Sequence, residues 1–471
     1  MPVTDAVTDA DPFQSIADLA ARIRTRDLSP VALTERVIAR IRQLDPKLHS
    51  HIAITEEAAL RQAHKAEAEI ARGQYRGPLH GMPLGFKDLL HVKGTPTTFA
   101  SPAYRTFLPE DSATIIENLE AAGAVLVGRH HHNEGAMAEH NPDFGPVPVN
   151  PFNAAISPGG SSSGTGVAVA SALCAGGLGS DTGGSIRFPS SANGLTGLKP
   201  TWGRVSRRGV MTFANSLDVI GPMCRSAEDA AILLNAIAGA DDRDPTSLPA
   251  PVPDYRAELE GVNGARDLRI GVDWRYVSDG VAPFIVEAIR EALSVFTDIG
   301  ARVVEFDMPD AALAARAMCY FQFTELANYH AERFAEAPEL FGEKLTFGVE
   351  TGRSLKAVDV ARGYIDRDIF RGQVARKWQE VDVFVTPVMQ GGELRFDPDT
   401  DFFGNLARLH YFTGPYSASG NPALVFPIGM ADTGVPFGIQ MVAPHLGESR
   451  LFRAAHAFQQ ATDWHLRRPQ L

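Results

Sequence analysis

Cysteine is scarce. Cys174, Cys224 and Cys319 are the only three in 471 residues, and no two stand close enough for a CxxC pair. That excludes a disulfide-stapled scaffold or a zinc ribbon and leaves the thiols to pack as small apolar groups in a reduced compartment. Long apolar runs are lacking too: none approaches the roughly 20 residues a membrane helix needs, so no membrane partner is expected. Positive charge is in deficit, with 44 Lys and Arg against 56 Asp and Glu and a net charge of −12. This balance opposes nucleic-acid binding, which needs clustered basic side chains. The first twelve residues, MPVTDAVTDADP, have neither the basic start nor the apolar stretch of a signal peptide, and a cytoplasmic protein is expected.

What is present is concentrated in two stretches. One is PLGFKDLLHVKG, carrying Lys87; the other runs from Pro158 to Thr201, PGGSSSGTGVAVASALCAGGLGSDTGGSIRFPSSANGLTGLKPT. The second is rich in Gly and Ser without being repetitive, because an apolar run from Val167 to Ala175, expected as helix, separates two Gly/Ser turns. Gly-Gly ahead of a serine exposes backbone N–H groups with no side chain in the way. A hydroxyl beside such donors is what acyl transfer requires.

These segments resemble the amidase signature family, and the resemblance continues through GLKPTWGRVSRRGV, SLDVIGPM and, near the end, VPFGIQMVAP. It covers most of the chain and leaves a divergent stretch between about Asp242 and Leu409. It implies one α/β/α domain over residues 1–471, with a mixed central sheet covered by helices: N-terminal helices in 1–75, the signature in 158–201 and a substrate-shaping region in 240–410. It also implies a catalytic triad of Lys87, Ser161 (after a cis peptide) and Ser185, an oxyanion hole from the amides of Thr182, Gly183, Gly184 and Ser185, and neither metal nor cofactor. The expected partner is a small-molecule amide or carbamate, with the protein a monomer or homodimer. Asp181 and Arg187 are expected as a structural pair bracing the nucleophile loop.

Residue patterns alone predict an α/β order. Helices are expected over Phe13–Arg24, from the Ser29-Pro30 cap to about Leu44, from Thr55 to Gly73, over Ala113–Ala122, Ala282–Phe296 and Glu448–Thr462. Strands are expected at Pro83–Leu90, Ala124–Val127, Leu268–Val272, Arg302–Phe306 and Val381–Val388. The Asp- and Pro-rich tract from Ala240 reads as a surface excursion.

A lysine serves as a base only when neutral, and Lys87 stands among Leu84, Phe86, Leu89 and Leu90, a run whose burial lowers its pKa. Ser162 or Ser163 is expected to cap the following helix. His130, His131 and His132 with Glu134 suggest a metal at first sight, but consecutive residues alternate in direction, and a loop is expected. Met137, Tyr320, Phe323, Phe402 and His410 are candidate substrate contacts, with Met318, Phe321, Phe403 and Tyr411 as further apolar candidates.

Two activities compete. One is a stand-alone hydrolase of hydrophobic amides, anilides or aryl carbamates. The other is the glutaminase component of the glutamyl-tRNA amidotransferase, which the N-terminal half resembles. Aligning YFTGPYSASGNPA with that component puts His410 where the resemblance implies an ammonium-binding aspartate. Loss of that carboxylate disfavours an amino-acid substrate.

Overall fold

The computed structural model describes residues 11–137, 139–259, 264–391 and 402–471, without the side chains of 402–405. Among the described residues eleven strands form one sheet. In chain order they are β1 (His51–Ile54), β2 (Pro83–Lys87), β3 (Val125–His130), β4 (Gly176–Asp181), β5 (Thr196–Lys199), β6 (Val219–Cys224), β7 (Arg269–Val272), β8 (Arg302–Glu305), β9 (Val383–Pro387), β10 (Ala423–Met430) and β11 (Pro436–Val442). Across the sheet the order is β1-β3-β2-β4-β6-β5-β10-β11-β9-β7-β8. β2 runs parallel to both β3 and β4, and β7 to both β8 and β9. The antiparallel pairings make the sheet mixed. Strands β2 to β6 are buried at every position, as expected for a sheet covered on both faces.

Helices appear where capping and periodicity place them. Ser29 accepts from Ala32 N at 3.1 Å and Pro30 opens the Pro30–Leu48 helix. The helices Glu56–Ala71, Thr114–Ala121, Pro283–Asp298 and Glu448–Ala461 match their expected positions to within a few residues. The tract after Ala240 carries no helix or strand before the short turn at Ala257, but it is tied down rather than free. Arg204 donates to Ala250 O at 3.0 Å, Pro251 O at 2.8 Å and the buried Tyr255 hydroxyl at 2.8 Å. The sheet continues beyond it through β7, so the tract is a loop inside one α/β domain.

Two expectations are corrected, and two elements appear that residue patterns did not predict. The N-terminal region is not all helical, because β1 pairs antiparallel with β3. The apolar run expected as helix over Val167–Ala175 is helical only as Ser163–Ala170, and Ala172 then takes φ +54°. That helix is buried on every side, so its apolar run records burial rather than length. β4 has the sequence GGLGSD, a poor strand former on its own. It is a strand because it pairs with β2 and β6, and its glycines are required because the neighbours leave no room for side chains: a Cβ on Gly177 would stand 2.7 Å from Thr165 Cγ2, and one on Gly179 would stand 2.8 Å from Met223 Sδ. Finally, the divergent stretch supplies the helix Ala311–Tyr329, which packs against the helices Glu343–Ser354 and Ala357–Lys377. Its buried residues lie on most of its faces, which leaves no amphipathic stripe to read.

The three thiols are buried and unpaired. Burial pushes Cys174 and Cys319 up to about 12, as befits packing groups.

Candidate active site

The site lies at the carboxyl ends of the adjacent parallel strands β2 and β4. Lys87 is the last residue of β2 and is 1% exposed. Its Nζ donates to Ser161 Oγ at 2.7 Å and to Ser180 Oγ, on β4, at 2.8 Å. Desolvation lowers its pKa to about 7, against the pull of Asp218 and Asp181. Next in the chain, Asp88 is consumed by Arg129 and Thr98. The lysine therefore meets two hydroxyls and, among the described residues, no carboxylate within ion-pair distance.

The Gly160–Ser161 peptide is cis, and Gly159 takes φ +74°. A Cβ on Gly159 would stand 2.8 Å from Pro189 Cα, so the turn that delivers Ser161 requires glycine. Asn133 N donates to Ser161 O at 3.3 Å. The expected capping by Ser162 or Ser163 does not form. Ser162 Oγ instead bonds the Ser180 backbone, donating to its O at 3.2 Å and accepting from its N at 3.3 Å, while Ser163 Oγ pairs with His140 Nε2 at 2.8 Å. Helix and β4 are thereby stitched together beside Lys87.

From Asp181 to Arg187 the chain turns tightly around a buried ion pair. Arg187 meets both Asp181 oxygens at 2.8 and 2.9 Å and also donates to Thr413 O, Gln440 Oε1 and Ser417 Oγ, each at 2.8 Å. Both partners are 0% exposed. Burial pushes the Asp181 carboxyl up, but Arg187 and the Ile186 N–H outweigh it and leave it below its ordinary value. Within 181–187 every residue is buried except Ser185, which is partly accessible. Ser162 N donates to Ser185 O at 3.2 Å. Of the four amides expected to converge, that of Gly184 donates to Asp181 Oδ1 at 2.8 Å. Those of Thr182, Gly183 and Ser185 make no hydrogen bond among the described residues.

The structure distributes the other candidates unevenly. His410 is beside the loop, its Nδ1 donating to Gly183 O at 2.7 Å; burial lowers it to about 4, so it is neutral. Met318 is there too, its Cε 3.3 Å from where a Gly183 Cβ would stand. Met137 packs at Gly348 and Leu345 covers Gly135, on the flank formed by the Glu343–Ser354 helix. Tyr320 approaches Gly363, Phe323 is buried, and Phe321 packs at a tilt on Tyr364 with ring centres 4.6 Å apart, so these three pack among the helices of the divergent stretch. Tyr411 rests on Tyr276 at 5.0 Å. Phe402 and Phe403 begin the Phe402–Leu409 helix, and their side chains lie outside the described residues.

His131 and His132 lie in the loop expected of the histidine run, and only His130 does not. His130 ends β3 and all three imidazoles are buried, but they diverge: His130 to Thr165 Oγ1, His131 to its neighbour's carbonyl and His132 to the carbonyls of Asn133 and Asp88. No three His, Cys, Asp or Glu side chains converge on a metal position among the described residues.

Two site residues escape the sequence reading. Ser180, the second hydroxyl on Lys87, stands just ahead of DTGGS, and parallel β2–β4 pairing puts it beside the lysine. Asp218, in SLDVIGPM, accepts from Thr182 Oγ1 at 2.5 Å and from the Phe213 and Ala214 amides, and burial raises it to about 6. It anchors the loop at Thr182.

The sequence model of the family named Amidase matches residues 32–452. The chain is 40% identical to AmiD of Mycobacterium tuberculosis, named as an inferred amidase, over 98% of this chain and 97% of that one. It is 38% identical to the glutamyl-tRNA(Gln) amidotransferase A chain of Methylococcus capsulatus, over 97% of this chain and 98% of that one. Among solved structures it is similar to the peptide amidase of Stenotrophomonas maltophilia, with a TM-score of 0.83, 30% identity and coverage of 97% and 98%. The chain belongs to the amidase signature family and is an amidase-type hydrolase.

Proposed function

We propose that the protein cleaves carboxamide-type C–N bonds of neutral, hydrophobic substrates through an acyl-enzyme on Ser185. The observation that carries this is Lys87: a buried lysine near neutrality, bonded to two hydroxyls, one of them on the strand that leads into the partly accessible Ser185. Ser185 Oγ attacks the carbonyl carbon while its proton passes through Ser161 Oγ to neutral Lys87 Nζ. The carbonyl oxygen becomes an oxyanion held by the N–H groups of Thr182, Gly183 and Ser185, which are free among the described residues. As the C–N bond breaks, the proton returns through Ser161 to the leaving nitrogen, and water repeats the cycle on the ester to release the acid.

Neutral His410 beside the loop offers no carboxylate for an α-ammonium group, which favours hydrophobic amides, anilides or aryl carbamates over glutamine. Met318 against Gly183 supplies apolar wall at the same place. The reading includes a cytoplasmic monomer or homodimer acting on a small molecule without nucleic acid or membrane. No helix among the described residues is long and apolar enough to cross a membrane.

The test is a panel of amides, anilides, carbamates and activated esters with glutamine and asparagine included. Hydrophobic neutral substrates are expected to exceed glutamine in kcat/KM by about 100-fold or more, the scale on which a missing polar anchor discriminates. Efficient ammonia release from glutamine would overturn the assignment in favour of the amidotransferase component, the second reading that the 38% identity supports.

The pH profile follows from Lys87. Only its neutral form accepts the Ser185 proton, and its pKa lies at about 7. kcat/KM for a neutral amide is therefore expected to fall about tenfold per unit below pH 7 and to level off above it. A flat profile between about pH 5 and 9 would remove Lys87 from the role of base.

A further inference from the structure

The Gly183–Gly184 peptide is held at both ends. Its carbonyl receives two donors, His410 Nδ1 at 2.7 Å and Thr413 Oγ1 at 2.5 Å. Its N–H, on Gly184, donates to Asp181 Oδ1 at 2.8 Å. Both flanking amides, those of Gly183 and Ser185, are free among the described residues.

The need for such a clamp follows from the residues. Gly184 takes φ +140°, a conformation that side chains oppose, and glycine on both sides of a peptide makes its rotation inexpensive. Rotation would release Gly184 N–H from Asp181 and swing the Gly183 oxygen, now facing His410 and Thr413, toward the pocket. A carbonyl dipole would then meet the developing oxyanion with its negative end. The clamp is closely packed: a Cβ on Gly183 would stand 2.9 Å from His410 Cε1 and 3.3 Å from Met318 Cε. Because the acceptor is a carbonyl, His410 carries its proton on Nδ1.

We infer that His410 and Thr413 are positioning residues that hold the Gly183–Gly184 peptide with its carbonyl turned away from the substrate, and so fix the oxyanion donors. They act through the loop and touch no reacting atom. The inference rests on the acyl-enzyme reading, in which Ser185 is the nucleophile.

The experiment uses the full chain with His410→Leu, His410→Asn, Thr413→Val and Thr413→Ser. Asparagine returns an N–H near the place of Nδ1, and serine returns the hydroxyl. kcat and KM are measured on a hydrophobic anilide. In parallel, Ser185 is labelled by a p-nitrophenyl alkylphosphonate, whose P–O bond to Oγ forms as p-nitrophenolate leaves and the proton passes to Lys87. Circular dichroism and a urea midpoint for each variant separate loss of fold from loss of positioning. His410→Leu and Thr413→Val are expected to lower kcat and the labelling rate about 10- to 100-fold with KM changed less than about threefold. His410→Asn and Thr413→Ser are expected to recover most of the loss. Wild-type kcat and labelling in both His410→Leu and Thr413→Val, or equal loss in the conservative pair, overturns the inference. Should wild-type protein bear the phosphonate elsewhere than Ser185, the acyl-enzyme reading itself fails, and that result is distinct from unaltered labelling at Ser185 in the variants.

Discussion

Ser185→Ala is expected to abolish turnover, with kcat down by about 10⁴-fold or more, the order found when a nucleophile is removed from a catalytic unit. Lys87→Ala and Ser161→Ala should each lower kcat by about 10³-fold or more, because Ser185 then has no path for its proton. In the proposed mechanism the three act as one unit, so Lys87→Ala/Ser161→Ala should be little worse than either single variant. Lys87 bonds hydroxyls rather than a carboxylate, and Asp181 keeps Arg187 and Asp218 keeps Thr182, so its removal strips no buried carboxylate of a bonded partner and the protein should fold. Steady-state rates on an anilide together with a urea midpoint check both halves. Turnover near wild type in Lys87→Ala would remove the lysine from the mechanism.

Arg187→Ala carries the largest expected effect on stability. It strips the buried Asp181 of its bidentate partner, takes the Arg187 donor from Gln440 Oε1 and Ser417 Oγ, and leaves Thr413 O with the donors of Ser417 alone. Breaking a buried pair from one side costs about 3–5 kcal/mol, because an uncompensated charge remains in low dielectric. Arg187→Lys should recover only part, since one ammonium cannot reproduce the planar fork that meets four acceptor residues. Urea denaturation followed by circular dichroism measures the shift; a loss under about 1 kcal/mol in Arg187→Ala would show that the loop does not depend on this pair. Activity should be lost with stability, since the same pair shapes the turn carrying Ser185.

The parts legible in the sequence share a physical character. Helices with an exposed face, such as Pro30–Leu48 and Glu448–Ala461, write their period and their starting residues into the chain. Lys87, Ser161 and Ser185 stand in long ordered motifs whose spacing survives in the sequence. Elements buried on all sides carry no such signature. β4 is mostly Gly and Ser, and it is a strand only through its pairing with β2 and β6, where Thr165, Met223 and Ser162 leave room for nothing larger than glycine. The Ala311–Tyr329 helix buries most of its faces and shows no stripe. Ser180 is beside Lys87 only through the pairing of β2 with β4, and His410 reaches Gly183 only because residues 227 apart in the chain come into hydrogen-bond contact.

By itself the sequence determined the family, the α/β order and the three residues proposed for the chemistry, because motif, period and capping are local properties of the chain. The tertiary structure decided the rest. It buried Lys87 and so set its proton affinity, turned the Gly184 amide onto Asp181, and brought His410 and Thr413 against the Gly183 carbonyl. Desolvation and hydrogen-bond geometry depend on what surrounds a group in space, and those surroundings come from segments far apart in the chain that no local pattern records.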